Sequence, residues 1–433
     1  MDKYSFFYKI PDNWCWTKLG KITSIIGGGT PSSKIKEYYD NGNIAWITPS
    51  DLSNYNNIYI SKGKKMITEL GLMKSSAKLL PKGTVCLSSR APIGYVAIAE
   101  NELCTNQGFK SFLPSELYEP EYLYWYLKSI KHILEAKASG TTFLELSAKK
   151  AGEVEIPLPP INEQQRIVNI IESLFTKLDR AKELIENTLA QFEQNKMAIL
   201  HKAFTGELTA KWRKENNIDL SSWEKIKLGK VLLPMQTKKP TGQFFRYIDI
   251  DAIDNKRQIV KAPKLILTEK APSRASRGVE TGNILFSMVR PYLKNIAQID
   301  SDLSDCIAST GFYVCRCKPE LNSRFLYYLF IFDKTIDYLM QFMKGDNSPS
   351  IRKDDLLNMK IDLPTIEEQQ EIVNILDKLL AKYNKIKNLE QQLEKIELLK
   401  KAILAKAFRG ELGTNNPDEE SAENLLKEIL AEK

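Results

Sequence analysis

Residues 156–208 of the 433-residue chain recur as residues 361–412. The first copy opens IPLPPINEQQRIVNII and closes MAILHKAFTGEL; the second opens IDLPTIEEQQEIVNIL and closes KAILAKAFRGEL. Eleven of the sixteen opening positions are identical at an offset of 205, and the closing blocks match at 204. Two ordered matches at nearly one spacing mark an internal duplication, so a fold for one half must also serve the other.

Each copy has the grammar of one long helix. A Leu-Pro pair disfavours helix, then Asn162 or Glu367 starts a run free of Pro and Gly. The runs stop at Gly206 and Gly410, where glycine suits the left-handed residue after a helix. In the first copy, apolar or small residues fall at Ile167, Ile171, Leu174, Leu178, Ala181, Ile185, Thr188, Phe192, Asn195 and Ile199, steps that alternate four and three as in a coiled-coil seam. The second seam runs Ile372, Leu376, Leu379, Tyr383, Ile386, Leu389, Leu393, Ile396, Lys400 and Ile403. Two consecutive steps of three around Ile386 mark one lost residue and a local re-phasing of the stripe. Forty residues at roughly 1.5 Å each make a rod of about 60 Å. Each rod needs a partner along one stripe only, and the other copy is the nearest candidate.

The expected architecture is therefore α+β: two globular α/β domains separated by two long antiparallel helices forming a coiled coil, with pseudo-twofold internal symmetry. The boundaries expected are 1–155 for the first domain, 156–210 for the first helix region, 211–360 for the second domain, 361–412 for the second helix region and 413–433 for a tail. Within the domains, Trp14–Leu19–Gly20 recurs as Trp223–Leu228–Gly229, and Gly83 to Arg90 matches Gly282 to Arg290. Short alternating apolar stretches read as a twisted mixed sheet. The aromatic runs at 121–127 and 325–330 read as half-buried helices whose rings serve the core rather than stacking on bases. Gly27-Gly28-Gly29-Thr30-Pro31 reads as a loop between strands, because no GK[ST] follows.

Composition adds bounds. Hydrophobic content of 43% and charged content of 27% suit a soluble globular protein, and a net charge of +8 permits a polyanionic partner. No run of eighteen apolar residues and no secretion signal is found, so a cytoplasmic location is expected. Six cysteines without a CxxC pair, beside only two histidines, argue against zinc and for reduced thiols. There is no GxxxxGK[ST], HExxH or GxSxG, and Leu158-Pro159-Pro160-Ile161 lacks the amide or carboxylate and the aromatic that an adenine methyltransferase needs. No self-sufficient catalytic constellation stands in the sequence.

Two domains held apart by a rod match DNA, whose successive faces recur about every 34 Å. The target expected is split: two short words and an unread gap. Arg90 and Arg290 stand at matched strand ends next to proline-bearing loops, with Arg274, Arg277, Lys294 and Arg352 adding charge to the second domain. Arginine serves both bidentate guanine readout and phosphate contact, and equally well ties down loop carbonyls. The loop groups Thr141, Thr142, Ser348 and Ser350 are further candidates.

PLPPINEQQRIV with ILHKAFTGELTAKWR, repeated as DLPTIEEQQEIV with ILAKAFRGEL, resembles the conserved regions of the specificity subunit of type I restriction–modification systems. The resemblance extends to the domains: TPS at 30–32 with TNQGF at 105–109 looks like one type of target-recognition domain, and APSRASRGV at 271–279 with FSMVRPYL and STGF looks like another. It implies Thr30, Ser32, Lys34, Asn106 and Gln107 as further DNA contacts. It also implies a non-catalytic DNA reader with two modification subunits that use S-adenosylmethionine to methylate adenine N6, and admits two ATP- and Mg-dependent translocating restriction subunits. This chain itself would hold no cofactor. By the same resemblance the paired helices dock the modification subunits, placing Glu163, Gln164, Gln165 and Phe204, and Glu368, Gln369, Gln370 and Phe408, in the partner-binding region. The second copy departs from the pattern, with Thr365 for the second proline and no counterpart of Lys211-Trp212-Arg213 after Leu412. Two competing classes are a stand-alone bipartite nucleic-acid binder, which would bind specifically as a pure monomer, and a coiled-coil protein scaffold, whose binding would not fall steeply with salt.

Overall fold

The uninterrupted run of helix formers after Pro160 folds into one helix, α2 (Ile161–Phe204), in the computed structural model, which describes residues 8–140, 144–381 and 386–431. Its repeat mate forms α4 (Ile366–Ala381) and α5 (Ile386–Ala407). Both copies start one residue before the expected Asn162 and Glu367. Gly206 and Gly410 have φ of 82° and 72°, the left-handed conformation that ends a helix without a Cβ penalty. Of the re-phased stretch of the second seam, Tyr383 lies outside the described residues.

The chain divides into two compact units, residues 1–184 with 391–433, and residues 185–390. Within the first, α2 and α5 pair antiparallel: Asp179 meets Lys400 at 2.5 Å and Lys182 meets Glu397 at 3.2 Å. Within the second, Leu200 and Ala203 near the end of α2 share a core with Ile372, Val373 and Leu376 of α4. In the first unit that place is taken by Leu404 and Ala407 of α5, and by Phe408 just past its end, against Ile167, Val168 and Ile171 of α2.

Both units follow one plan. In the first, strands order Ile25–Gly27, Phe109–Phe112, Val85–Ser89, Ile93–Ala99, Tyr59–Ile60 in one sheet and Lys65–Ile67, Ile44–Ile47, Leu103–Thr105, Leu79–Leu80 in another. In the second, Leu232–Leu233, Phe312–Cys317, Ile284–Ser287, Ile296–Gln298 form one sheet and Lys264–Leu267, Phe244–Ile248, Ile307–Ser309, Ala275–Gly278 the other. The same parallel pairing recurs, Ile47 with Thr105 and Ile248 with Ala308. A two-stranded ribbon leads into each long helix, Cys15–Lys18 with Glu155–Leu158 and Glu224–Lys227 with Lys360–Leu363. The aromatic runs form α1 (Pro120–Ser129) and α3 (Ser323–Ile331), and their rings are buried as core. The mixed sheets, the long paired helices and the duplicated plan are the α+β architecture read from the sequence.

The tail ends in a helix. Helix α6 (Ala422–Ala431) seats Ala422 and Leu426 in the first unit's core. Among the described residues, no helix is long and apolar enough to cross a membrane.

Candidate DNA-reading edges and helix locks

In each unit three loops meet at one end of a central strand, held by backbone bonds that repeat. In the first unit, Ser89 N–H donates to Gly108 O at 2.7 Å, and Leu146 N–H donates to Ser89 O at 2.9 Å. Ser139 and Glu145 exchange amide-to-carbonyl bonds at 3.1 and 3.0 Å. In the second unit, Met288 N–H donates to Gly311 O at 2.9 Å and Ile351 N–H to Met288 O at 3.0 Å. Lys344 and Ser350 do the same at 3.0 and 2.9 Å. Gly140 and Gly345 turn these loops at φ of 137° and 101°, which other residues rarely adopt. Each unit thus presents an edge built of a Gly-containing loop, an arginine and a closed hairpin.

The two arginines are held differently. Arg90 Nη1 lies 3.9 Å from Glu145 Oε2, and Lys110 Nζ reaches Glu145 Oε1 at 3.1 Å and Ser89 Oγ at 3.2 Å. Arg290 is in the left-handed conformation, φ 48°; its N–H donates to Pro349 O and its Nη2 to Asn347 O, both at 2.8 Å. Arg90 is thus tethered by a carboxylate and Arg290 by hairpin carbonyls, and both remain partly open to solvent. A guanidinium with free N–H groups at a loop edge can meet a phosphate or a guanine edge.

Other sequence candidates fall around these edges. Thr30 Oγ1 hydrogen-bonds Gln107 Oε1, while Ser32 and Lys34 are exposed on the same loop. Asn106 Oδ1 accepts from Gly108 N–H at 2.9 Å, and its mate Ser309 Oγ accepts from Gly311 N–H at 3.2 Å, so both side chains shape the loop. Arg274 is exposed, and its carbonyl accepts from Thr310 N–H at 2.9 Å. Arg277 is half-buried, with a buried Nε that has no hydrogen-bond partner among the described residues. Ser348 and Ser350 lie in the second hairpin beside Arg290; Thr141 and Thr142 fall outside the described residues. Arg352 is exposed, and its N–H donates to Asp355 Oδ2 at 2.7 Å. Lys294 pairs its ammonium with Asp333. Lys110 and Glu145 escaped the sequence reading. The signal was there, since Lys110 follows the TNQGF motif and Glu145 lies 205 before Ser350.

The helix starts combine buried and outward-facing members of the expected partner-binding region. Glu163, Gln164, Glu368 and Gln369 are fully buried and bonded within the chain, so their side chains are unavailable to a partner. Gln164 Oε1 accepts Glu119 N–H at 2.9 Å and its Nε2 donates to Leu117 O and Pro159 O; Gln369 repeats this with Asn322 N–H at 2.8 Å, Glu320 O and Pro364 O. Each glutamine ties the aromatic helix to the Leu-Pro turn. Glu163 accepts from Trp14 Nε1 at 2.8 Å and Glu368 from Trp223 Nε1 at 2.9 Å, which explains the repeated tryptophans. Thr414 and Thr209 donate to the two carboxylates at 3.0 and 2.6 Å. Arg213 Nη1 then completes the Glu368 site at 2.5 Å, where Asn415 Nδ2 serves Glu163 at 3.0 Å. Phe408 is buried against Tyr122 and Tyr126, and half-buried Phe204 stacks on Phe332, so both rings are core. Only Gln165 and Gln370 face outward, each bonding an asparagine one turn on, Asn169 at 3.2 Å and Asn374 at 2.9 Å.

A family model described as the type I restriction modification DNA specificity domain matches residues 11–191 and again 223–398. The chain belongs to that family. This type I specificity subunit carries the specificity domain twice, as its two units indicate. It is similar to the MjaIX specificity subunit of Methanocaldococcus jannaschii, 30% identical across 93% of this chain and 94% of that one. The EcoDI specificity subunit of Escherichia coli is 27% identical over 73% of this chain and 77% of its own. In fold it is similar to the HsdS subunit from Thermoanaerobacter tengcongensis, with a TM-score of 0.57, 22% identity, and 94% and 99% of the two chains covered. A chain from a structure of the assembly and conformational transition of the type I R-M system gives a TM-score of 0.69 at 22% identity, covering 94% of this specificity subunit and all of that chain.

Proposed function

We infer that this specificity subunit is the non-catalytic DNA reader of a type I restriction–modification complex. Each unit reads one short word of a bipartite double-stranded target, and the helices between them set the unread gap. The observation that carries this is the duplicated edge: one backbone frame, Gly108–Ser89–Leu146 and Gly311–Met288–Ile351, displaying different side chains. A shared frame with unlike surfaces suits two words read in one manner. The candidate contacts are Arg90, Lys110, Thr30 and Gln107 on one edge, and Arg290, Ser348, Arg274 and Arg277 on the other. Outward faces of α2, α4 and α5 dock two modification subunits, which would bring S-adenosylmethionine and methylate adenine N6 in each word. Restriction subunits with ATP and Mg would join the same assembly.

The decisive experiment maps N6-methyladenine at base resolution in host DNA with and without this gene. A split motif that vanishes on deletion is expected. If every motif persists, the reader role fails. Specific binding by the purified chain alone, without partners, would favour a stand-alone binder instead.

A further inference from the structure

The duplication allows one half to be read as a control for the other, and the start of the aromatic helix differs in charge between them. Glu119 and Asn322 occupy one position, since their amides donate to Gln164 and Gln369 in the same way. Three positions therefore correspond: Glu119 with Asn322, Glu121 with Arg324 and, at the helix repeat offset, Glu172 with Asp377. The second unit closes this notch with its own cation. Arg324 Nη2 lies 3.0 Å from Asp377 Oδ1, and its guanidinium covers Tyr327 and Tyr328 with centroids at 4.5 and 4.9 Å. Tyr328 donates its hydroxyl to the same carboxylate.

At the same positions the first unit has Glu119, Glu121 and Glu172, all half-buried, and no arginine. Burial first, and then Glu121, raise the pKa of Glu119. For Glu172 burial also comes first, opposed by the Trp125 indole N–H and reinforced by Glu121. Trp125, the mate of Tyr328, is 7% exposed, and its Nε1 has no hydrogen-bond partner among the described residues. The indole lies beside Glu172, whose carboxylate has no ion-pair partner among the described residues. Lys128, on the same helix, donates to Tyr124 Oη at 3.0 Å and lies over the Tyr124 and Trp125 rings at 5.0 and 5.7 Å, with no carboxylate partner among the described residues. Tyr59 bonds Glu121 and supplies no charge.

We propose that the notch formed by Glu119, Glu121 and Glu172 receives an arginine or lysine side chain from a protein docked on the first turns of α2, in the place that Arg324 fills from within the second unit. The inference rests on the docking of modification subunits proposed above and adds that the two docks are chemically unequal. Three carboxylates repel phosphate, so the occupant is not DNA. Among the described residues no group of acidic, cysteine or histidine side chains has the arrangement of a metal site, which favours a side-chain cation over a metal ion.

The test titrates the host modification subunit against the full chain, as wild type, Glu121→Arg and Glu121→Gln, with native mass spectrometry counting bound copies and calorimetry resolving the two affinities. Glu121→Arg should lose about tenfold or more at one dock and leave the other unchanged, with Glu121→Gln between. The melting temperature of the free Glu121→Arg chain should equal or exceed wild type, because a like-charge contact with Glu172 becomes an ion pair. The isosteric Glu121→Gln carries the test if the arginine variant fails to fold. Two docks of unchanged affinity in the variants overturn the inference and leave the docking reading standing. A wild-type chain that recruits no modification subunit overturns both. A melting temperature that millimolar Mg²⁺ or Ca²⁺ raises in wild type, but not in Glu121→Arg, would make the occupant a metal ion and also overturn it.

Discussion

A glutamate wholly shielded from water must be met by donors on both oxygens, or it is the costliest residue in its domain. The chain solves this twice with different chemistry. Glu368 has Trp223, Thr209 and a guanidinium; Glu163 has Trp14, Thr414 and an amide. Arg213 is itself 8% exposed at its side chain, so removing it leaves a buried charge facing one hydroxyl and one indole. Arg213→Ala should therefore cost about 3–5 kcal/mol, the range for breaking a buried pair. Thr414→Val at the matched site removes one bond to a charged group and should cost about 1.5–3 kcal/mol. Urea unfolding midpoints of the two variants against wild type check this ranking, and an Arg213→Ala loss no larger than that of Thr414→Val would contradict it. The sequence displayed the Glu-Gln-Gln motif plainly but not its direction. Three consecutive helix positions point about 100° apart, so the motif alone could not say that the first two turn inward and only Gln165 and Gln370 turn out. The missing counterpart of Lys211-Trp212-Arg213 did carry the clue, since it marks where the two carboxylates differ in partner.

At the scale of elements, the long helices were the most legible part, because a proline turn, a sustained seam and a terminal glycine agree with one another. Their starts fell within one residue of expectation. The sheets were legible only as a class. Their strands run from two to seven residues and pair across wide separations, as Ile47 does with Thr105, so their order cannot be read from alternation. The bridges beside Arg90 and Arg290 were legible only as an offset: Ser139 and Glu145 lie 205 before Lys344 and Ser350 but share no residue type with them, and only the backbone pairing repeats. If the hairpin and arginine act as one reading element, Arg290→Ala should weaken binding of the assembled complex by about 1–3 kcal/mol and relax base choice in one word only. Competition binding with targets mutated in each word separately would reveal this. Equal relaxation in both words would show that Arg290 acts on the shared frame and not as a reader.

For the whole molecule, the duplication made the two-unit division legible, while the return of the C-terminal helix to the first unit was not. Leu425, Leu426 and Ile429 are too few to declare their partner until Trp14 and Tyr122 are seen beside them. The same scale governs the gap. If the paired helices are its ruler, lengthening both by one heptad should lengthen it without touching either word. A heptad keeps the seam in phase, since seven residues close two turns of a coiled coil. At roughly 1.5 Å per residue it adds about 10 Å, or about three base pairs of DNA with 34–36 Å per turn. The insertions belong after Lys182 and before Glu397, which already face each other at 3.2 Å, so that each seam keeps its mate. Methylation mapping in cells carrying this variant should then return the original two words separated by about three additional bases. A two-residue insertion at the same points turns the stripe by about 200°, to the opposite face of the helix, and should abolish methylation instead of shifting it. An unchanged gap in the heptad variant would mean that spacing is set in the domains, and the helices would then have docking as their sole task.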